Sequence, residues 1–116
     1  MVKLSDFAES DLKKRLIGLY GEVNRSVYGY GTNELRISIY PNMVIFFTKD
    51  NRVKALMSIE THFSQIKQSA DMALFNEFKL QLREAIEKEL KLEPVALFRD
   101  FDSDYKMAVT IVVFDD

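Results

Sequence analysis

Residues 27–36, VYGYGTNELR, decide how the chain is folded. Gly29 and Gly31, two of the four glycines, flank Tyr30, and the apolar periodicity differs on their two sides. Upstream, Leu12, Leu16, Leu19, Tyr20, Val23 and Val27 recur three or four residues apart, predicting an amphipathic helix over about residues 5–27. Ser5 stands where an N-cap is expected, with Asp6 and Glu9 suited to the positive end of the helix dipole. Downstream, Leu35, Ile37 and Ile39 alternate with Arg36, Ser38 and Tyr40, the pattern of a half-buried strand. Gly29 therefore falls at a C-cap, and one or both glycines are expected at positive φ.

Working outward, Pro41-Asn42 is a turn signal and MVIFFT (43–48) reads as a second, more completely buried strand. Lys49-Asp50-Asn51-Arg52 is a polar loop, and Val53 to Met57 either extends the sheet or leads into the next element. From Ser58 a long stripe follows: Ile59, Phe63, Ile66, Ala70, Leu74, Phe78, Leu82, Ile86 and Leu90. Lys67, Lys79, Arg83, Glu84, Glu87 and Lys88 occupy the complementary face, and Ser69-Ala70-Asp71 offers a break into two helices. Pro94 marks the exit, and VALFRDF (95–101), a turn at Asp102-Ser103-Asp104 and KMAVTIVVF (106–114) form a hairpin. In its last strand Met107, Val109, Ile111 and Val113 share one face. The order αββαββ predicts an α+β fold over 1–116: an antiparallel four-stranded sheet with two long helices packed on one face, in a single domain.

The length of 116 residues suits one core without staples, and 47% apolar with 29% charged residues is ordinary globular composition. A net charge of −2 gives no electrostatic footprint for nucleic acid, and the single basic run, Lys13-Lys14-Arg15, reads as a solvated helix face. Without cysteine there are no disulfides, thiolate metal sites or cysteine nucleophiles. The first residues lack a signal peptide's apolar core and no window is long enough to span a bilayer, so a cytoplasmic protein without direct membrane insertion is expected.

Candidate chemistry is sparse. His62, the only histidine, suits a general base, yet Glu60 and Thr61 beside it do not share its helix face. Asp100, Asp102 and Asp104 resemble the start of a calcium loop, but Tyr105 and Ile111 stand where an EF-hand needs glycine and glutamate, which favours a solvated hairpin turn. Gly29-x-Gly31 lacks a third glycine and follows a helix rather than a strand, the reverse of a phosphate-binding loop. The acid pairs Glu84/Glu87 and Glu87/Glu89 belong to a charged helix surface. Phe46, Phe47, Phe63, Phe75, Phe78, Phe98 and Phe114 exceed what one sheet face and two helices need. The surplus covers the second sheet face against another subunit, or lines a pocket. Because Met43, Ile45 and Phe47 alternate with Val44 and Phe46, one apolar set would face water in a lone αββαββ unit, which predicts a homodimer.

From about Leu12 to Phe114 the chain resembles the MpsC-like family, the third component of a bacterial membrane-potential-generating system. Members have a first helix ending in Gly-Arg-Gly-Pro, where this chain has Gly29-Tyr30-Gly31-Thr32. The hydrophobic second strand is similar to Met43–Thr48, and the run before the charged helix is similar to Met57-Ser58-Ile59-Glu60-Thr61. The closing hairpin is similar to Val95…Asp100 and Val109–Phe114, and the glycine that precedes it in the family is replaced near Leu92. The resemblance implies a soluble accessory component with a membrane-transport partner, serving cation or bicarbonate uptake and held at the inner membrane through that partner. It brings no catalytic residues.

Three readings of function follow. The first is a non-catalytic accessory or regulatory subunit, cytoplasmic and homodimeric, with no cofactor, no metal and no nucleic acid. The second is a small-ligand sensor using the loop Gly29, Tyr30, Gly31 to Arg36 and the surplus aromatics. The third is a small enzyme using His62 with a carboxylate brought close by the fold.

Overall fold

The computed structural model describes residues 2–29, 31, 33–49, 64–102 and 105–115. Helix α1 (Glu9–Tyr28) ends at Gly29, whose φ of +85° reverses the chain while its N–H donates to the Arg25 carbonyl at 2.9 Å. A residue with a Cβ meets its own carbonyl in that conformation, so glycine is the natural cap. Strands β1 (Asn33–Tyr40) and β2 (Met43–Lys49), helix α2 (Ser64–Leu90) and strands β3 (Pro94–Asp102) and β4 (Met107–Phe114) follow. The fold is α+β in the order αββαββ.

The sheet order is β1-β2-β4-β3, every neighbour antiparallel. Each αββ half contributes one hairpin, and β2 against β4 joins the halves, with Phe46 opposite Thr110 and Ile45 opposite Ile111. The two most apolar strands thus lie in the centre, where both edges are hydrogen-bonded to neighbours, and the strands carrying Arg36 and Asp100 lie at the edges of the sheet.

Period-two alternation sorts each strand into two faces. Val44, Phe46 and Thr48 of β2 and Ala108, Thr110, Val112 and Phe114 of β4 are buried under the helices. Leu12, Leu16, Tyr20 and Val23 of α1 and Phe78, Leu82, Ile86 and Leu90 of α2 close the core from above. The inward β4 set is smallest at Ala108 and Thr110, which leave room for Tyr20 and Phe46, while Val112 and Phe114 fill the rest of that face and Met107, Val109, Ile111 and Val113 point outward.

Two local expectations are corrected. Ser5 is not the cap of α1: it lies in a 3₁₀ turn, Leu4–Asp6, where Asp6 Oδ2 accepts the Lys3 N–H at 2.8 Å. Burial of Leu4 and packing of Phe7 on the core turn the chain there, so α1 begins only at Glu9, with Ala8 as N-cap. Ser69-Ala70-Asp71 does not divide the second helix, since α2 runs unbroken from Ser64 to Leu90. Poor propensity costs only tenths of a kcal/mol per residue, less than the packing of the continuous Leu74–Phe78–Leu82 stripe returns. The readings on Val53–Met57, Ser58, Ile59, His62 and Phe63 fall outside the described residues.

Helix α2 ends without a glycine. Lys91 takes φ +59° and donates its N–H to the Glu87 carbonyl at 3.1 Å, and buried Leu92 follows directly. The left-handed turn is imposed by the need to bring Leu92 into the core, at a cost of about 1 kcal/mol for a side-chain-bearing residue. Two opposite outcomes are expected in denaturant titrations. Gly29→Ala lowers stability by about 1 kcal/mol or more, and Lys91→Gly raises it by about 0.5–1 kcal/mol.

Candidate functional site

The inner face of the sheet is not uniformly apolar. Toward the C-terminal end of α1 the buried residues become Tyr20, Asn24 and Tyr28, and below them stand Thr48 of β2 and Thr110 of β4. Arg99 enters this polar end from edge strand β3. Leu97 and Phe101 sit opposite Val112 and Ala108, so their row, which includes Arg99, faces the helices.

The geometry around Arg99 is closely defined. Its Nη1 donates to Tyr20 Oη and to Thr110 Oγ1, both at 2.8 Å. The guanidinium carbon lies 3.9 Å from the Phe78 ring centre, 5.5 Å from that of Phe75 and 5.6 Å from that of Tyr28. One cation thereby ties α1, α2, β3 and β4 together. A guanidinium is planar, stacks on aromatic faces and does not exchange its proton in the physiological range. The cluster can organise packing and hold a fixed positive charge; it is not suited to proton transfer.

The residues proposed from sequence distribute differently. Gly29 and Gly31 lie together just past α1, and the arginine beside them is Arg25, whose Nη1 is 3.7 Å from where a Cβ on Gly31 would stand. Arg36 is carried to the outer face of β1, opposite Phe47. The glycines and Arg36 are therefore not gathered by this strand register, while Tyr30 and His62 lie outside the described residues.

Asp100 and Asp102 belong to β3, where their carboxylates accept local N–H groups, Asp100 Oδ1 from Phe101 at 2.8 Å and Asp102 Oδ1 from Tyr105 at 3.1 Å. That is hairpin geometry, and no group of three metal-ligating side chains occurs among the described residues. Glu84, Glu87 and Glu89 are exposed. Glu84 does line a shallow groove of about 490 Å³ between α1 and α2, together with Glu22, Glu77 and Lys88.

The outer sheet face carries the most extensive feature. Tyr40, Phe47 and Phe98 are 49%, 39% and 58% exposed, and Met43, Ile45, Val109, Ile111 and Val113 are half-buried between them. At one end Phe47, Asp100, Asp102, Met107 and Val109 surround a hollow of about 320 Å³. The alternation of MVIFFT announces this face. Arg99 was detectable only as a charge in the same two-residue row as Leu97 and Phe101.

Removing the Arg99 hydrogen bonds and stacking should be costly. Arg99→Ala is expected to lower unfolding free energy by about 2–4 kcal/mol, and Arg99→Lys, which keeps the charge but not the planar fork, by about half as much. Urea titration followed by circular dichroism measures both. Among the described residues no helix is long and apolar enough to cross a membrane. No protein-family model, curated protein or solved structure matches the chain.

Proposed function

We propose that the chain is a non-catalytic accessory or regulatory subunit of a membrane transport system for a cation or bicarbonate, acting in the cytoplasm and reaching the membrane through a protein partner. The observation that carries an interaction role is the outer sheet face, where three large aromatics stand exposed among half-buried aliphatics. A contiguous apolar face of this kind marks a protein–protein contact surface. The enclosed setting of Arg99, already engaged by Tyr20, Thr110 and Phe78, also supports a scaffold rather than a reaction centre. The transport system comes from the resemblance of Gly29-Tyr30-Gly31-Thr32, the hydrophobic second strand and the closing hairpin to the MpsC-like family.

Affinity capture of the tagged chain from gently solubilised native membranes tests this reading. Stoichiometric recovery of an identified integral-membrane transport protein is the expected result, and recovery of none defeats it. His62→Ala should leave that recovery, and any associated transport, within a few-fold of the parent. A loss of about a hundredfold in a folded variant is the scale of an essential acid–base group and would favour an enzyme.

A further inference from the structure

The outer sheet face has an order that its apolar character alone does not require. Cross-strand register arranges its residues in rows running from β1 through β2 and β4 to β3. The first row is Tyr40, Met43, Val113, Ala96, and the second is Ser38, Ile45, Ile111, Phe98. The third is Arg36, Phe47, Val109, Asp100. In these three rows the two central strands are apolar throughout, and the next level places Lys49 of β2 and Asp102 of β3 on either side of Met107 at the end of the face. The third row alone begins with a cation on one edge strand and ends with an anion on the other.

Those two charges do not meet within one chain, because three strand spacings separate them by about 14 Å. Each is nevertheless placed to meet the other's copy. A two-fold axis lying between two facing sheets and parallel to their strands keeps every row level and exchanges the edges. Arg36 of one copy then lies over Asp100 of the second, and the contact occurs twice. An axis perpendicular to the strands would instead set each edge strand over its own copy, β1 over β1 and β3 over β3, so Arg36 and Asp100 would not meet.

We propose that the outer sheet face is the contact of a homodimer, two sheets stacked face to face about a strand-parallel two-fold axis, with Arg36 of each copy seated against Asp100 of the other. The hollow bounded by Phe47, Asp100, Asp102, Met107 and Val109 receives the incoming arginine. Asp100 Oδ1 accepts the Phe101 N–H, and that bond orients the carboxylate at the rim of the hollow. Aligned sheets cross at about 30°, which displaces an edge strand about 7 Å from the axis by only about 4 Å, within reach of an arginine side chain. Four strands of about eight residues present about 500 Å² of flat footprint per copy. The pair therefore buries about 1,000 Å² before side-chain corrugation is counted, the threshold for a specific interface.

This inference names a partner for the face on which the accessory-subunit reading rests, and its test is separate. Sedimentation velocity of the full chain at micromolar concentration should show a dimer. Arg36→Asp and Asp100→Arg, exposed changes whose fold circular dichroism can verify, should each weaken it about tenfold or more by placing like charges together. An equimolar mixture of the two variants should recover parental affinity, since both contacts of the heterodimer again pair opposite charges. Phe47→Lys should give a monomer. A parental monomer, a dimer indifferent to these changes, or folded single variants that fail to complement one another would overturn the arrangement. A monomer that still captures a transport protein refutes the dimer alone, and a dimer that captures none refutes only the transport role.

Discussion

The interior is organised around the ring of Tyr20. It stacks on Phe46 with centroids 5.0 Å apart and 21° between planes, and meets Phe78 edge-on, also at 5.0 Å. Its hydroxyl accepts from Arg99. A single α1 side chain is therefore in direct contact with β2, α2 and β3. Each buried aromatic of this kind contributes roughly 1.5–3 kcal/mol through burial, and edge-to-face geometry adds about 0.5–1.5 kcal/mol. Because a tyrosine oxygen would otherwise be desolvated without compensation, Arg99 is required as its donor, and the aromatic faces of Phe78, Phe75 and Tyr28 are required to accommodate the guanidinium. Thr110, rather than a larger apolar residue, then follows opposite Phe46 as the second acceptor.

The same constraint fixes which face of the sheet the helices cover. With Tyr20 and Phe46 stacked inside, the inward residues of β4 nearest them are small or able to accept a hydrogen bond, as Ala108 and Thr110 are, while Val112 and Phe114 fill the rest of that face. Met107, Val109, Ile111 and Val113 of β4 are left outside with Ile45 and Phe47 of β2. An outer face rich in exposed aromatics is thus a consequence of how the core is solved, and the central position of β2 and β4 concentrates it in the middle of the sheet. The antiparallel helices reinforce the choice: Arg15 Nη2 of α1 donates to the Glu89 carbonyl of α2 at 2.9 Å, closing the end remote from Arg99.

Element types and order were legible because they depend on period and punctuation. The 3.6-residue stripe through Leu12 and Val23, the two-residue alternation after Gly31 and the cap at Gly29 are local signals, and each corresponds to an observed element. Helix limits were less legible where tertiary contacts override them. Burial of Leu4 displaced the start of α1 to Glu9, and continuous packing carried α2 across Ser69 to Asp71. Strand order was not written in any one segment, since it depends on β2 pairing with β4 across a long separation. The grouping of Gly29 and Gly31 with Arg36 followed nearness in sequence, whereas alternation along β1 sends Arg36 to the opposite side of the sheet from Leu35 and Ile37. Arg99 acquires its partners only when four separate elements assemble.

The sheet edges bear on how two such faces can come together. β1 is irregular between Asn33 and Arg36, where Glu34 adopts φ +50° and its carboxylate lies 3.4 Å from Lys49 Nζ. β3 is irregular between Pro94 and Ala96, and its proline has no N–H to offer a neighbouring strand. Bulges, charges and proline at an edge oppose extension of a sheet by another chain. Edge-to-edge association, which would produce an open-ended ribbon, is therefore disfavoured at both sides. The broad face between the edges carries no such obstruction, and its charges sit at the margins where they can select orientation without entering the apolar centre. Closed pairing through the face follows from the same edge chemistry that suppresses open polymerisation.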